Sequence, residues 1–461
     1  MKKLLLALPI LLGMFSTFTV RSQWLEEYVP FGFEGYFFDI QAVDGNVCWG
    51  TPWIVTNSST GAVAYSRKYA RTIDAGGTWT VDSITSVPTN YQISNIWPIN
   101  GNTCYLAMNT GTVRGGVYKT INGGTTWTQV GSNMFTNANS FPDFVYFWNA
   151  KYGMALGDPI GATRKFEIYT TSDSGATWVA VPTANIPAAQ TSATDYGITN
   201  LFTVSRGHVW FASTFGDVYH SADTGKTWTK SASGFTPVTY STGARQDVSD
   251  LAFTDGMHGI ITSLDTSAVL HVKQTSDGGM SWVDITPSGP MYVADLDVVP
   301  WTNVMVSVGS NNNFGFGSSV SFDYGLTWTN LDTNVSHIAV SFADSANGWT
   351  GEYVLSTNTT GGAFQYIGAP LAVINHFDKT KETQVYPNPS ANGIFNVLGA
   401  SKTRTALFQV FTMEGREVYN EAIGTLSVYR HELNLSNLSS GLYILKVTDG
   451  QTSSQHKLMI Q

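Results

Sequence analysis

Arginine is scarce in this chain, and five arginines fall in or beside long polar loops that recur along it: Arg67, Arg71, Arg114, Arg164 and Arg245. Arg67, Arg114 and Arg164 take the same loop position in three successive repeats, so their heads could converge on one sector of a closed structure. Converging guanidiniums suit a carboxylate, a sulfate or a uronic acid through paired hydrogen bonds. Their mutual repulsion needs an offsetting charge. Asp158, with Pro159 stiffening the loop behind it, is the resident counter-charge, and an acidic sugar would be the visitor. Asp143, Asp195, Tyr196, Asp217, Asp247 and Glu352 share these loops. A plainer reading stands beside this one: each arginine pairs with a neighbouring surface carboxylate, where ion pairs contribute little.

Other chemistry is thinly represented. No Gly-rich loop precedes a helix and no serine-nucleophile elbow is present. His208, His220, His258, His271 and His337 read as single residues in different repeats, so no metal and no cofactor is expected. Glycoside hydrolysis needs two carboxylates at a defined separation. Asp158 with Asp143 or Glu352 can be nominated, but spacing does not single them out. Trp53, Trp97, Trp148 and Trp301 could stack on sugars, although most tryptophans in such a pattern pack between repeats.

The elements that must hold these loops repeat with a period near fifty. A turn reads Thr72-Ile73-Asp74-Ala75-Gly76-Gly77-Thr78-Trp79 and returns at 120–127, 171–178, 221–228, 275–282 and 321–328, with a degenerate seventh copy at 356–364. Its tryptophans lie 48, 51, 50, 54 and 46 residues apart. Upstream of each turn stand two short apolar runs separated by a polar or Gly-containing break, as at 200–212 and 250–262. Each unit therefore reads as strand A, hairpin, strand B, loop, strand C, turn, and strand D opening at the tryptophan. Four short strands per unit at this period describe a propeller blade. The expected fold is all-β: a seven-bladed β-propeller over 24–370, followed by a small Ig-like sandwich.

The turn resembles the Asp-box (BNR-like) repeat of sialidase-like propellers, and the blade pattern resembles the photosystem II assembly-factor type. Asp74, Asn122, Asp173, Asp223, Asp277 and Asp323 are then structural: each side chain accepts hydrogen bonds across its own turn. Repetition in every blade points to folding and not to one site. The turns and A–B hairpins lie on the bottom face. The B–C and D–A loops, with the candidate ligand-binding residues Arg67, Arg114, Arg164, Asp158 and Arg245, lie on top. The Arg-Ile-Pro opening typical of sialidases is absent, so the resemblance extends to the fold alone.

Composition agrees with a tight-turned β protein: 461 residues, 45 of them Gly, 43% hydrophobic and 12% charged. A net charge of −9 without a basic stripe argues against nucleic acid. Residues 1–22 carry Lys2 and Lys3 before an apolar run broken by Pro9 and Gly13, and read as a cleaved signal peptide. No later stretch is apolar enough to span a membrane. Cys48 and Cys104 take equivalent places in adjacent repeats. Packed sheets lie about 10 Å apart, beyond the Cα separation of about 4.4–6.8 Å that a disulfide needs. Both read as buried thiols.

The repeat ends near residue 370, and 371–384 reads as a linker. Residues 385–461 begin Val385-Tyr386-Pro387-Asn388-Pro389, continue Gly393-Ile394-Phe395-Asn396-Val397, and close with Gly441-Leu442-Tyr443-Ile444-Leu445-Lys446-Val447 and Lys457-Leu458-Met459-Ile460. This order resembles the C-terminal sorting domain of type IX secretion cargo from the Bacteroidota. The resemblance implies contact with the secretion machinery through 385–461 and delivery to the medium or the outer-membrane surface. The expected function is binding of a glycan or an envelope protein on the top face; a glycoside hydrolase on the same scaffold is the alternative.

Overall fold

The computed structural model describes residues 23–461 except 58–61, 65, 111–114, 191–193, 241–242, 312–314, 372–383, 391, 401–404, 414, 425–427 and 450–451. The proposed signal peptide and Arg114 lie outside the described residues. The chain forms two compact units, Met1–Ala372 and Val373–Gln461.

Among the described residues the first unit contains seven antiparallel sheets of the same plan. Blade 1 runs from an inner strand Gly35–Ala42 through Cys48–Asn57 and Lys68–Thr72 to an outer strand Thr80–Ser83, which opens directly after Trp79. The inner strands of blades 2 to 7 are Gln92–Pro98, Pro142–Phe147, Gly197–Ser205, Asp250–Phe253, Asp295–Val298 and Ala339–Asp344. Blade 7 takes its outer strand from the other end of the unit: Trp24–Tyr28 pairs with Gly362–Tyr366, Trp24 opposite Tyr366. The degenerate seventh copy is therefore not a turn that launches an outer strand. Its Phe364 sits inside the third strand of blade 7, opposite Glu26. The outer strand that such a turn would launch is supplied by the N-terminal segment.

Burial explains the tryptophan period. Trp79 is buried and meets Trp349 of blade 7 edge-on at 5.6 Å, while Trp127 meets Trp49 of blade 1 at 6.4 Å. Each indole thus fills the seam toward the preceding blade. Cys48 and Cys104 are free and buried.

The turns close as their composition demands. Thr72 Oγ1 donates to Asp74 Oδ1 (2.9 Å) and accepts from the Gly76 N–H (3.0 Å). Asp74 also accepts from Thr78 N–H (2.9 Å) and Thr78 Oγ1–H (2.7 Å). The same set recurs around Asp173, Asp223, Asp277 and Asp323. At Asn122 the amide reproduces it by donating to Thr126 Oγ1. The Thr78, Thr177 and Ser281 hydroxyls hold the carboxyls of Asp74, Asp173 and Asp277 below the usual range, Asp277 at about 2. Turns and A–B hairpins share one face, because Ala75, Gly123, Ser174, Thr224 and Gly278 donate their N–H groups to the hairpins of their own blades.

Inner strands expose an unpaired edge, and neighbouring side chains satisfy it. Asp39 of blade 1 accepts the Ile96 N–H of blade 2 (2.9 Å), and Asn95 accepts Val145 N–H of blade 3 (2.9 Å). Asp295 and Asp297 accept Val340 and Phe342 N–H of blade 7 (2.7 and 2.6 Å), and Ser341 accepts Ala42 N–H of blade 1 (3.1 Å). Burial raises Asp39 to about 6 and Asp295 and Asp297 to about 7.

The second unit packs a three-stranded sheet and a four-stranded sheet around Phe395, Val397, Phe408, Val410, Leu433, Leu445 and Leu458.

Candidate functional site

Two β-bulges position the acids of interest. The register between the first two strands of blade 3 shifts between Pro142 and Phe144, and again between the second and third strands from Gly157 to Pro159. Asp143 and Asp158 are the extra residues. A bulge turns its residue out of the ladder and re-aims its side chain; both are placed at the loop-face ends of their strands.

Gly197, the first residue of the inner strand of blade 4, touches both. Its N–H donates to Asp158 Oδ1 at 2.8 Å. A Cβ built on Gly197 would stand 2.3 Å from Asp143 Oδ2, so any side chain there would force the carboxyl to move. Asp143 is 1% exposed and neither of its carboxyl oxygens has a hydrogen-bond partner. Burial first, then Asp158, pushes it well above the usual carboxylate range. Asp158 is half-buried at the surface and raised to about 7. Burial drives that rise, with Asp195 and Glu167 adding to it; the Gly197 N–H and Arg164 oppose it. Glu167 is raised by burial too.

Arg164 has φ +50° and donates from Nη2 to the Asp195 carbonyl, while its head lies 5.5 Å from the Tyr196 ring centroid. Its buried Nε has no partner. Asp195 is fully buried, its carboxylate accepting from Gln190 N–H (2.7 Å) and Phe215 N–H (3.2 Å). Beyond it, Asp217 takes Lys230 at 2.6 Å. The structure thus gathers Asp143, Asp158, Arg164, Asp195 and Tyr196 at the junction of blades 3 and 4.

The remaining arginines serve local tasks. Arg245 clasps Asp247, with Nε 3.0 Å from each carboxyl oxygen and Nη2 at 2.5 Å, above the Phe215 ring. Arg67 Nη1 donates to the Ile84 and Val87 carbonyls (3.0 and 2.9 Å), tying down the outer edge of blade 1. Arg71, expected near the top loops, instead donates to the Gly101 carbonyl in the bottom-face hairpin of blade 2 (2.7 Å), because it sits at the far end of its strand. The histidines are not single in their blades either. His208 and His220 share blade 4 and meet at 2.9 Å, and His258 and His271 share blade 5. Trp53 stacks on Phe38 and Trp97 packs on Tyr146, both half-buried. Among the described residues no group of three or more acidic, His or Cys side chains is arranged to hold a metal ion, and no helix is long and apolar enough to cross a membrane.

The first unit is a β-propeller by fold. Two solved structures of YCF48 match it at 16% identity and a TM-score of 0.50. One is from Cyanidioschyzon merolae and covers 75% of this chain and 98% of that one; the other is YCF48 bound to D1 peptide, at 76% and 98%. The GH74 enzyme of Niastella koreensis is similar at 13% identity and a TM-score of 0.40, over 92% of this chain and 66% of its own. No curated protein matches the chain by sequence. Residues 384–461 match the secretion system C-terminal sorting domain. The chain is therefore a β-propeller joined to a type IX sorting domain, a cargo addressed for export to the medium or the cell surface.

Proposed function

We propose that this is an exported binding propeller whose loop face, at the junction of blades 3 and 4, recognises a protein or glycan partner. One observation carries the reading. Each turn aspartate is closed within its own turn, whereas the loop face keeps buried charged and hydroxyl atoms without partners at Asp143, Arg164 and Ser213. Native proteins rarely leave such atoms unpaired unless water, an ion or a ligand completes them. The YCF48 complex with a D1 peptide supports the idea that this scaffold can present a peptide-binding face. The test is a glycan array and a pull-down from envelope extract with the full chain. A partner lost on Tyr196→Ala supports the reading; a partner that persists when Tyr196, Asp158 and Arg164 are all replaced overturns it.

A second reading, glycoside hydrolysis, draws on Asp158, whose value of about 7 suits a proton donor at neutral pH. Turnover of aryl glycosides that disappears in Asp158→Asn would establish it, and no turnover across a panel of such substrates would remove it.

A further inference from the structure

Arginines in the loops suit an anion. The geometry points to the opposite charge: we infer that the Asp143–Asp158 pair, approached beside Gly197, receives a primary ammonium group. This rests on the reading of the loop face as a binding surface and names the chemistry it takes. Asp143 presents two buried carboxyl oxygens with no donor on either. Asp158 Oδ1 accepts a single backbone N–H from Gly197. An ammonium supplies three donors and one positive charge, which is what two such carboxyls lack. The nearby cations do not fill this role. Arg164 donates to the Asp195 carbonyl, Lys230 pairs with Asp217, and Arg245 is closed on Asp247. Acidic ligands are disfavoured here, because Glu167 and Asp195 act on Asp158 from close by. Gly197 packs its backbone against the Asp143 carboxyl, and Asp158, half-buried at the surface, is the member of the pair through which a ligand reaches it.

The sign of the pH response follows. Ammonium capture needs ionised carboxyls, while Asp158 titrates at about 7 and Asp143 lies above the usual range. Affinity therefore rises with pH from 6 to 8, and binding releases protons. Arg164, Glu167 and Asp195 are the charged groups facing the pair, and only Arg164 favours its ionised form.

The experiment is calorimetric titration of the full chain with Nα-acetyl-lysine amide and, separately, with glucosamine, the two sources of such a group. Nα,Nε-diacetyl-lysine amide and N-acetylglucosamine are the controls. Expected is binding of at least one amine, tighter by about tenfold at pH 8 than at pH 6, absent with its N-acetyl control and weakened at least tenfold in Asp143→Asn. Gly197→Ala serves as a second variant that keeps both carboxyls and displaces that of Asp143; thermal melts show whether each variant is folded. No binding of either amine at 10 mM and pH 8 overturns the proposal, as does binding unchanged in a folded Asp143→Asn. If array or pull-down partners bind a folded Asp143→Asn as well as the parent, the loop face is a binding surface and the ammonium assignment alone falls.

Discussion

At the scale of single residues, the loop face is governed by Gly197. An alanine there would set Cβ 2.3 Å from Asp143 Oδ2. Contacts of that kind force shifts costing about 1–3 kcal/mol, so Gly197→Ala should melt several degrees below the parent, by calorimetry at pH 5, where Asp143 is protonated. Asp143→Asn should behave differently: equal to the parent near pH 5 and more stable at pH 8, because the amide carries no buried charge. A melt of this variant that drops with rising pH as steeply as the parent's would show that Asp143 is not the group titrating. None of this was legible in the sequence. Asp143 and Asp158 could be named as acids on one face, but which residue a bulge ejects depends on register. The pairing that sets register is a property of three strands and not of one. The arginines were legible as scarce loop residues; that Arg245 meets Asp247 two positions away was the plainer of the two readings.

At the scale of the element, the turn and the strand it launches were readable because their chemistry is local. Thr72, Asp74 and Thr78 satisfy one another within seven residues, so the repeat prints the structure directly. Blade 7 broke the rule because its outer strand is remote in sequence. Trp24 carries much of that connection: it is 3% exposed, its Nε1 donates to Ser318 Oγ of blade 6 (2.8 Å), and it packs on His337, Phe342 and Tyr366. Trp24→Ala should cost about 3–5 kcal/mol, as large buried aromatics do, and should free the first strand before the other blades unfold. Hydrogen exchange would read this as early loss of protection across Gly362–Tyr366. Protection lost uniformly over all seven blades would mean that closure is not the weak point.

At the scale of the whole molecule, two sets of aspartates pull stability in opposite directions. The turn carboxyls sit below their unfolded values, so what they contribute is present above about pH 4 and fades as pH falls through the folded values, about 2 for Asp277. The inner-strand carboxyls sit above theirs. Their contribution is complete below about pH 4 and is lost as pH rises through about 6 for Asp39 and about 7 for Asp295 and Asp297. The melting temperature should therefore peak at mildly acidic pH, and Asp297→Asn should flatten the alkaline side while leaving the acid side alone. A melting temperature that climbs steadily from pH 5 to pH 8 would contradict this. Removal of residues 384–461 should leave a folded ring retained in the periplasm; recovery of that truncated chain from the medium would rule out the tail as the export address.

The first strand also sets an order of events. Trp24 emerges in synthesis or translocation 342 residues ahead of its partner Tyr366. Until then the seam between the first and last blades stays open, and Trp24–Tyr28 has no ladder to join. A chain moving N-terminus first thus cannot become a ring midway. It completes itself only as the sorting domain arrives behind it, so the address for the next membrane follows directly on the residues that make the cargo whole.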